Sequence, residues 1–486
     1  MKRIACFVLS ACTFMFLQLF VFAENFDIDY EVESSLEYGS AVQKAYEVHT
    51  SNVLEGEGTE ESPYIISNLA DFLFFGEKVN SGDPDYFSAC YLQTDHIKVL
   101  DAGLVPIGTL EYPFCGVYDG NGYSISYTLT AETSTANYGL FGVAKNASFK
   151  NLSVFADVYS VYSDSEKAAA ALLCARYLSD KSAEFAISNC YAKGNLSLVS
   201  DSTVSYAGGL VGRIKIDSGK LVISDCASDV SVFSQAKNIG YAAGIAGCVS
   251  ASSKGVAQIL QCFSTNKVEA HGNSVYAYAG GITGYFMQDP KGWTDWYTLS
   301  SAESTQLSVS CCISDCELVS QGKFKGYIGG ISAYIHDEMK YDKLYFTGVR
   351  ITPTSMSVNG EIKNKGEVFE NAFLTTDLNF DLLNTWTLVK GERLFISNNC
   401  PELFSYENQE TGEISVCPIN CEGGKLIISF YGADGRYLRS KVFDFNGTNG
   451  SVFSAAAASG TKYVKTYLLD AVTVKPLSEN STLTVG

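Results

Sequence analysis

Few residues in this chain have the types and spacing that chemistry needs. The stretch YAGGLVGRI, residues 206–214, has the glycine density of a loop that cradles a phosphate. Its spacing, Gly-Gly-x-x-Gly, fits neither nucleotide fingerprint, and no Lys-Ser/Thr pair follows. The next residues, RIKID, alternate like a strand, so no helix N-terminus is available to hold an anion. Asp119-Gly120-Asn121-Gly122 could begin a calcium loop, but the further ligands and the sixth-position glycine of that pattern are missing. A tight turn is expected there instead. A glycosidase needs two carboxyls about 5–10 Å apart. Here Asp225 aligns with Asn151, Asn189 and Gln261, while Asp289, Asp295, Asp337 and Glu338 fall in loops. The four histidines, His49, His96, His271 and His336, are scattered, and His-Glu-x-x-His is absent. No catalytic residue, cofactor or metal site is therefore expected. Trp293, Trp296 and Tyr297 lie together in an insertion. They could form an aromatic platform for a sugar ring or a peptide, or fold back over a flank as a small satellite core.

The elements that carry these residues repeat. YAGGLVG at 206 recurs as YAAGIAG at 241, YAGGITG at 278 and YIGGISA at 327, with AAAALLC at 168 and YGLFG at 138 as weaker copies. Aligned this way, an aliphatic ladder runs through Leu140, Leu172, Leu210, Ile245, Ile282 and Ile331. A second series lies between the first: FKNLSV at 149, ISNCYA at 187, ISDCAS at 223, ILQCFS at 259 and VSCCIS at 309. Its ladder is Leu152, Cys190, Cys226, Cys262 and Cys312. After each cysteine the residues alternate with period two, as strands do. In ISNC and ISDC the isoleucine and the cysteine are three apart, which places them on opposite faces of a straight strand. Both can face inward if the chain turns a corner at Asn189, Asp225 or Gln261, and Asn and Asp tolerate the left-handed backbone that a corner needs. Each repeat is then one coil of about three short strands, stacked in parallel on the next.

The expected fold is all-β: a parallel β-helix of coils about 32–50 residues long, with an N-terminal capping helix, followed by a small β-sandwich. Leu69–Val79 is the helix, after Ser67 and Asn68 as possible caps, and its Phe72 and Phe75 would cover the open first rung. The cysteine ladder is expected to be a structural stack of buried thiols. Neighbouring coils are about 4.8 Å apart, so a Cys190–Cys226 disulfide remains an alternative.

Composition limits the partners. The chain has 486 residues, 46% hydrophobic and 18% charged, with a net charge of −19. That balance repels nucleic acid and anionic membrane surfaces. MKR followed by the apolar run Ile4–Ala23 is expected to be a secretory signal, residues 1–23, cut after Val21-Phe22-Ala23. An uncleaved anchor, or lipidation at Leu9–Cys12, are the alternatives. The protein is thus expected to be exported, extracellular or on the cell surface, touching a membrane only through such an anchor. The organisation expected is a signal at 1–23, an acidic linker at 24–55, the β-helix at 56–405 and the sandwich module at 410–486.

The stretches GEGTEESPYIISNLADFLFFGEKVNSG (56–82), YFSACYLQTDHI (86–97), VPIGTLEYPFCGVYDGNGYSISYTL (105–129) and YGLFGVAKNASFKNLSV (138–154) resemble the opening of bacterial GLUG-motif proteins. DLNFDLLNTWTLVKGERLFISN (377–398) resembles the terminal coil of that family, which implies that Phe380 and Trp386 pack the end. The resemblance implies a secreted, adhesin-like β-helix and says little about activity. VKTYLLDAVTVKPL (464–477) is similar to the last strands of β-sandwich modules that end secreted clostridial-type proteins. Cys417 and Cys421 are expected to be a local disulfide or buried thiols. The expected function is non-enzymatic: adhesion, display, or binding of a host or matrix glycan or protein. A β-helical polysaccharide lyase or glycoside hydrolase is the alternative.

Overall fold

The computed structural model describes residues 53–99, 104–132, 136–162, 167–288, 307–335, 340–351, 355–356, 361–382, 385–389, 392–396, 402–408, 411–448, 451–470 and 481–485. The expected signal, most of the acidic linker, and Trp293, Trp296 and Tyr297 lie outside these residues. So do Asp289, Asp295, Asp337, Glu338, His49 and His336. No helix among the described residues is long and apolar enough to cross a membrane.

The repeats fold as a parallel β-helix. A first sheet of seven short strands runs through Ala168–Ala171, Val204–Gly208, Ile239–Ala243, Tyr276–Gly280 and Lys325–Gly329. A second, six-stranded sheet includes Cys174–Ser179, Val211–Ile216, Ala246–Ala251, Thr283–Gln288 and Ser332–Ile335. A third sheet of 17 strands bends at a corner, so that one limb holds Gly219–Ser224 and Gly255–Leu260 and the other Ala227–Ala236 and Phe263–Gly272. Neighbouring coils pair in parallel register on every sheet, as in Tyr206↔Tyr241↔Tyr278↔Tyr327. Like residues therefore lie over like.

The corner falls at Asn151 (φ 55°), Asn189 (52°), Asp225 (52°) and Gln261 (51°), all left-handed. It reconciles the two inward side chains: Ile187 and Cys190, like Ile223 and Cys226, are all buried in one core. The corner amides also bond along the axis. Asn189 Nδ2 donates to Asn151 Oδ1 (2.9 Å), and Asn151 Nδ2 donates to Asp119 Oδ1 (3.0 Å).

Leu152, Cys190, Cys226, Cys262 and Cys312 are fully buried in register, and Leu344 follows Cys312 in the next coil. The four cysteines are free thiols. Cys226 Sγ donates to the carbonyls of Ser224 (3.1 Å) and Ile187 (3.4 Å), and burial pushes its thiol and that of Cys312 well up. A thiol that is protonated and bonded to carbonyls behaves as a small core hydrophobe.

The aliphatic ladder needs one correction. Leu210, Ile245, Ile282 and Ile331 are in line, but register places Leu173, not Leu172, beside Leu210, while Leu172 keeps its place opposite Leu140, through Ala170↔Tyr138 and the Leu140 N–H to the Leu172 carbonyl (3.2 Å). Ala169 pairs with Tyr206 and Cys174 with Val211, and the Cys174 N–H donates to the Leu210 carbonyl at 3.0 Å. Leu172 fills the slot of Gly209. AAAALLC has two leucines and no glycine, so sequence alone left the alignment one residue free.

The helix Leu69–Asn80 closes the first coils. Asn68 is its N-cap and accepts from the Asp71 N–H at 3.0 Å. Phe72 and Phe75 are buried, and Phe75 packs on Tyr91 (centroids 4.2 Å), Phe114 (5.7 Å) and Tyr118 (5.8 Å) as an aromatic plug. Asp119–Gly122 forms a tight turn: Asn121 and Gly122 have φ of 50° and 82°, and the Tyr123 N–H returns to the Gly120 carbonyl (2.8 Å).

After the last coil the chain does not simply end the stack. The described residues of 364–382, 385–389 and 392–396 pack along its outer flank, against the column Tyr191, Ala227, Phe263 and Ile313 from four successive coils. Lys365 pairs with Asp315 (2.6 Å), Gln261 Nε2 donates to the Asn379 carbonyl, Trp386 Nε1 donates to Asp225 (3.4 Å), and Arg393 pairs with Asp229 (3.2 Å). Phe380 and Trp386 do pack together (5.0 Å), but on this flank rather than over the end rung.

The C-terminal module begins with Glu402–Glu407, ahead of the expected boundary at 410, because that strand pairs with Glu413–Ile419. Two antiparallel sheets, of three and four strands, share one apolar core around Ile414, Val416, Ile428 and Phe430. Cys417 and Cys421 are buried free thiols in different clusters.

Candidate functional site

The repeat motif builds the most distinctive exterior feature. Strand alternation points Ala207 inward and Tyr206 outward, into the angle between the first and second sheets. In-register stacking then lines up Tyr206, Tyr241, Tyr278 and Tyr327. Their centroids are 5.3, 4.9 and 4.8 Å apart, at interplanar angles of 3°, 16° and 3°. The second sheet supplies the facing wall in the column Arg176, Arg213, Cys248, Tyr285 and Tyr334. Tyr285 and Tyr334 stack at 4.8 Å and meet the first wall edge-on: Tyr278–Tyr285 is 5.2 Å at 86°. Such edge-to-face contacts suit the ring quadrupole.

Backbone spacing at the root of the angle explains the motif's third glycine. A Cβ on Gly212 would lie 2.6 Å from the Ala175 carbonyl oxygen and 2.7 Å from that of Ala170. The walls can converge only where that side chain is missing.

The angle changes character along the axis. At one end Arg213 lies over the Tyr206 ring (5.0 Å), and Arg176 Nη2 donates to the Lys167 carbonyl (2.9 Å). Tyr206 and Tyr241 are fully buried there. Toward the later coils Tyr276, Tyr285, Tyr327 and Tyr334 are half-buried. Burial pushes the Tyr278 and Tyr285 hydroxyls well up, and neighbouring tyrosines add to the shift. The Tyr278 and Tyr285 phenols are therefore neutral at physiological pH. Burial also pushes the Cys248 thiol up to about 12.

The acids of the outer faces are mostly engaged. Asp229 is held by Arg393, Asp315 by Lys365, and Glu269 by Lys267 (2.7 Å) and His271 (2.8 Å). Asp157 accepts from Asn195 (2.8 Å). Burial raises the Asp225 carboxyl, and it lies under Trp386 as a corner residue. His96 shares its Nδ1 with Ser124 (3.0 Å), and burial lowers its pKa. Among the described residues no group of three His, Cys, Asp or Glu side chains is placed to hold a metal ion.

The segment bearing Trp293, Trp296 and Tyr297 follows Thr283–Gln288, the strand that carries Tyr285. The tyrosine walls were not singled out from sequence as a site, although the first tyrosine of each motif copy and the one three residues past Ile282 and Ile331 carried the signal. No protein-family model matches the chain, and no curated protein matches it.

Proposed function

We propose that this chain is an exported, adhesin-like β-helix without catalytic activity that binds a glycan or protein along the tyrosine-lined angle, with the sandwich as an accessory module. The observation that carries this reading is the pair of tyrosine walls, which become half-buried toward the later coils. They offer apolar ring surface beside neutral hydroxyls, the mixture that sugar and peptide sites use. The resemblance to GLUG-motif proteins points the same way, and the signal-like N-terminus supports export. Trp293, Trp296 and Tyr297, the aromatic platform expected from the sequence, are further candidate contacts. Among the described residues the engaged acids of the third sheet speak against a glycoside hydrolase, which needs two carboxyls free to act.

The test is binding of the purified mature chain to a glycan and matrix-protein panel, repeated with Tyr327→Ala/Tyr334→Ala. The expected result is a specific ligand whose binding the double variant loses while its circular dichroism is retained. A panel without any ligand, or release of cleaved oligosaccharide, would overturn the reading.

A further inference from the structure

We infer that the sandwich carries a binding face of its own, for a saccharide bearing uronate carboxylates. This site is separate from the angle of the coils and does not depend on it. The four-stranded sheet runs in the order Tyr437–Phe445, Gly424–Tyr431, Tyr463–Leu469, Ser481–Thr484. Leu426, Ile428 and Phe430 belong to the apolar core, so strand alternation turns Ile427, Ser429 and Tyr431 to the opposite face. Register sets Tyr437 and Tyr463 on either side of Tyr431, and Val442 and Tyr467 on either side of Ile427. With strands about 4.8 Å apart, the row of three tyrosines is about 10 Å wide. Tyr437, Val442 and Tyr463 are 56%, 57% and 40% exposed. Large side chains this open, side by side on one sheet face, form a patch rather than scattered surface exposure.

Rings on this face lie along the sheet. Tyr431 meets Tyr437 at 6.0 Å and 73°, and its hydroxyl shares a hydrogen bond with that of Tyr467. Tyr467 sits four residues further along, a distance of about 13 Å. The two hydroxyls can meet only if both side chains lean flat toward each other. Ser429, between them, is buried and bonded to Ser440 (2.7 Å). A flat aromatic surface edged with hydroxyls receives the C–H face of a sugar ring. One cation stands within it. Lys465, opposite Ser429, places its Nζ 5.5 Å from the Tyr431 centroid, and among the described residues it has no acidic partner. Lys425, at the far end of the face, is already paired with Asp444. In a chain of net charge −19, an unpaired ammonium amid tyrosines marks the place of an anion. The carboxylate at the edge of a uronate ring can reach Lys465 while the ring rests on Tyr463, its neighbour two residues away. A densely sulfated chain would instead meet the exposed Asp444 carboxylate, and one ammonium balances only one of its charges. Charge complementarity therefore selects a sparsely charged uronate saccharide.

The experiment is calorimetric titration of the full mature chain with four probes: an oligogalacturonate, a neutral galactan oligosaccharide, a sulfated galactan oligosaccharide and an oligoglutamate peptide. The variants are Lys465→Gln, Tyr463→Ala and Tyr327→Ala/Tyr334→Ala, and melting curves check their folding. Oligogalacturonate should bind most tightly of the four. Lys465→Gln should weaken it about fivefold and leave the neutral galactan unchanged. Tyr463→Ala should weaken both, and Tyr327→Ala/Tyr334→Ala should bind oligogalacturonate as the native chain does. Loss of that binding in the coil double variant moves the site to the coils and overturns the inference while sparing the binding angle. Tighter binding of the sulfated or the glutamate probe, equal binding of uronate and neutral saccharide, or no binding of oligogalacturonate overturns it too. None of those results decides the binding angle, which the glycan and matrix-protein panel tests.

Discussion

Replacing Arg393 with methionine should release the return segment from the flank. Arg393 Nη1 donates to Asp229 Oδ2 at 3.2 Å, and the two side chains are 12% and 14% exposed. The guanidinium also lies over Phe395 (4.5 Å) and Phe404 (5.3 Å), contacts that methionine largely keeps. Without it, Asp229 retains the Asn266 amide at 3.4 Å and the more distant Lys193, which is bound to Glu402. Truncating one member of a buried ion pair costs about 3–5 kcal/mol, because the remaining charge stays desolvated. The pH dependence is specific. Burial by itself pushes the Asp229 carboxyl up, but Arg393 and then Lys193 outweigh it and hold the group below its ordinary value. In the native protein this contributes stability above about pH 4, lost as pH falls through the depressed value. In Arg393→Met burial wins and the carboxyl titrates above its ordinary range. Protonation then relieves the variant, and its deficit shrinks as pH falls from about 7 toward 4.5. Trp386 reports the event: it is fully buried and donates to Asp225. With Trp293→Phe and Trp296→Phe it is the one indole left of three. Urea titrations at both pH values should show its emission shifting red earlier in the variant, by more at neutral pH. A loss below about 1 kcal/mol at neutral pH, or a deficit that grows in acid, refutes the argument.

Three further outcomes are expected. Gly209→Ala places a Cβ 2.1 Å from both the Gly244 carbonyl and Ser228 Oγ, so it should cost about 1–3 kcal/mol in denaturant unfolding. Gly435→Ala, which meets nothing within 4 Å at φ +75°, should cost only the backbone strain of about 1–2 kcal/mol; equal losses in the absence of any shift in the coil register would contradict the close approach. Asn189→Ala should be less stable than Asn189→Gly by about 1 kcal/mol, since both lose the amide bond to Asn151 and only alanine strains the left-handed corner; matching melting curves would argue against that strain. The buried thiols, with Cys174, Cys248 and Cys316 pushed up to about 12, should react slowly with a thiol reagent in the native state and stoichiometrically after unfolding. Near-zero free thiol in the unfolded chain would show that the column is oxidised.

The amino-acid sequence by itself determined the coil. Two repeated markers, a period-two alternation and an Asn/Asp/Gln at one position are local properties, and parallel stacking turns each into a column. The corner at Asn189 and Asp225 followed from a three-residue spacing, and the capping helix from its caps and its two phenylalanines. Tertiary structure alone decided three things. Leu173 rather than Leu172 came to lie beside Leu210, because hydrogen-bond register between coils fixes alignment where no glycine marks it. The described residues of 364–382, 385–389 and 392–396 packed along the flank, because their partners Asp315, Gln261, Asp225 and Asp229 belong to coils far earlier in the chain. The tyrosines became facing walls, because the sheets meet at an angle that no single strand encodes. Strand periodicity records which face a side chain takes; only the packing of one coil on another, and of one sheet beside another, settles what that face meets.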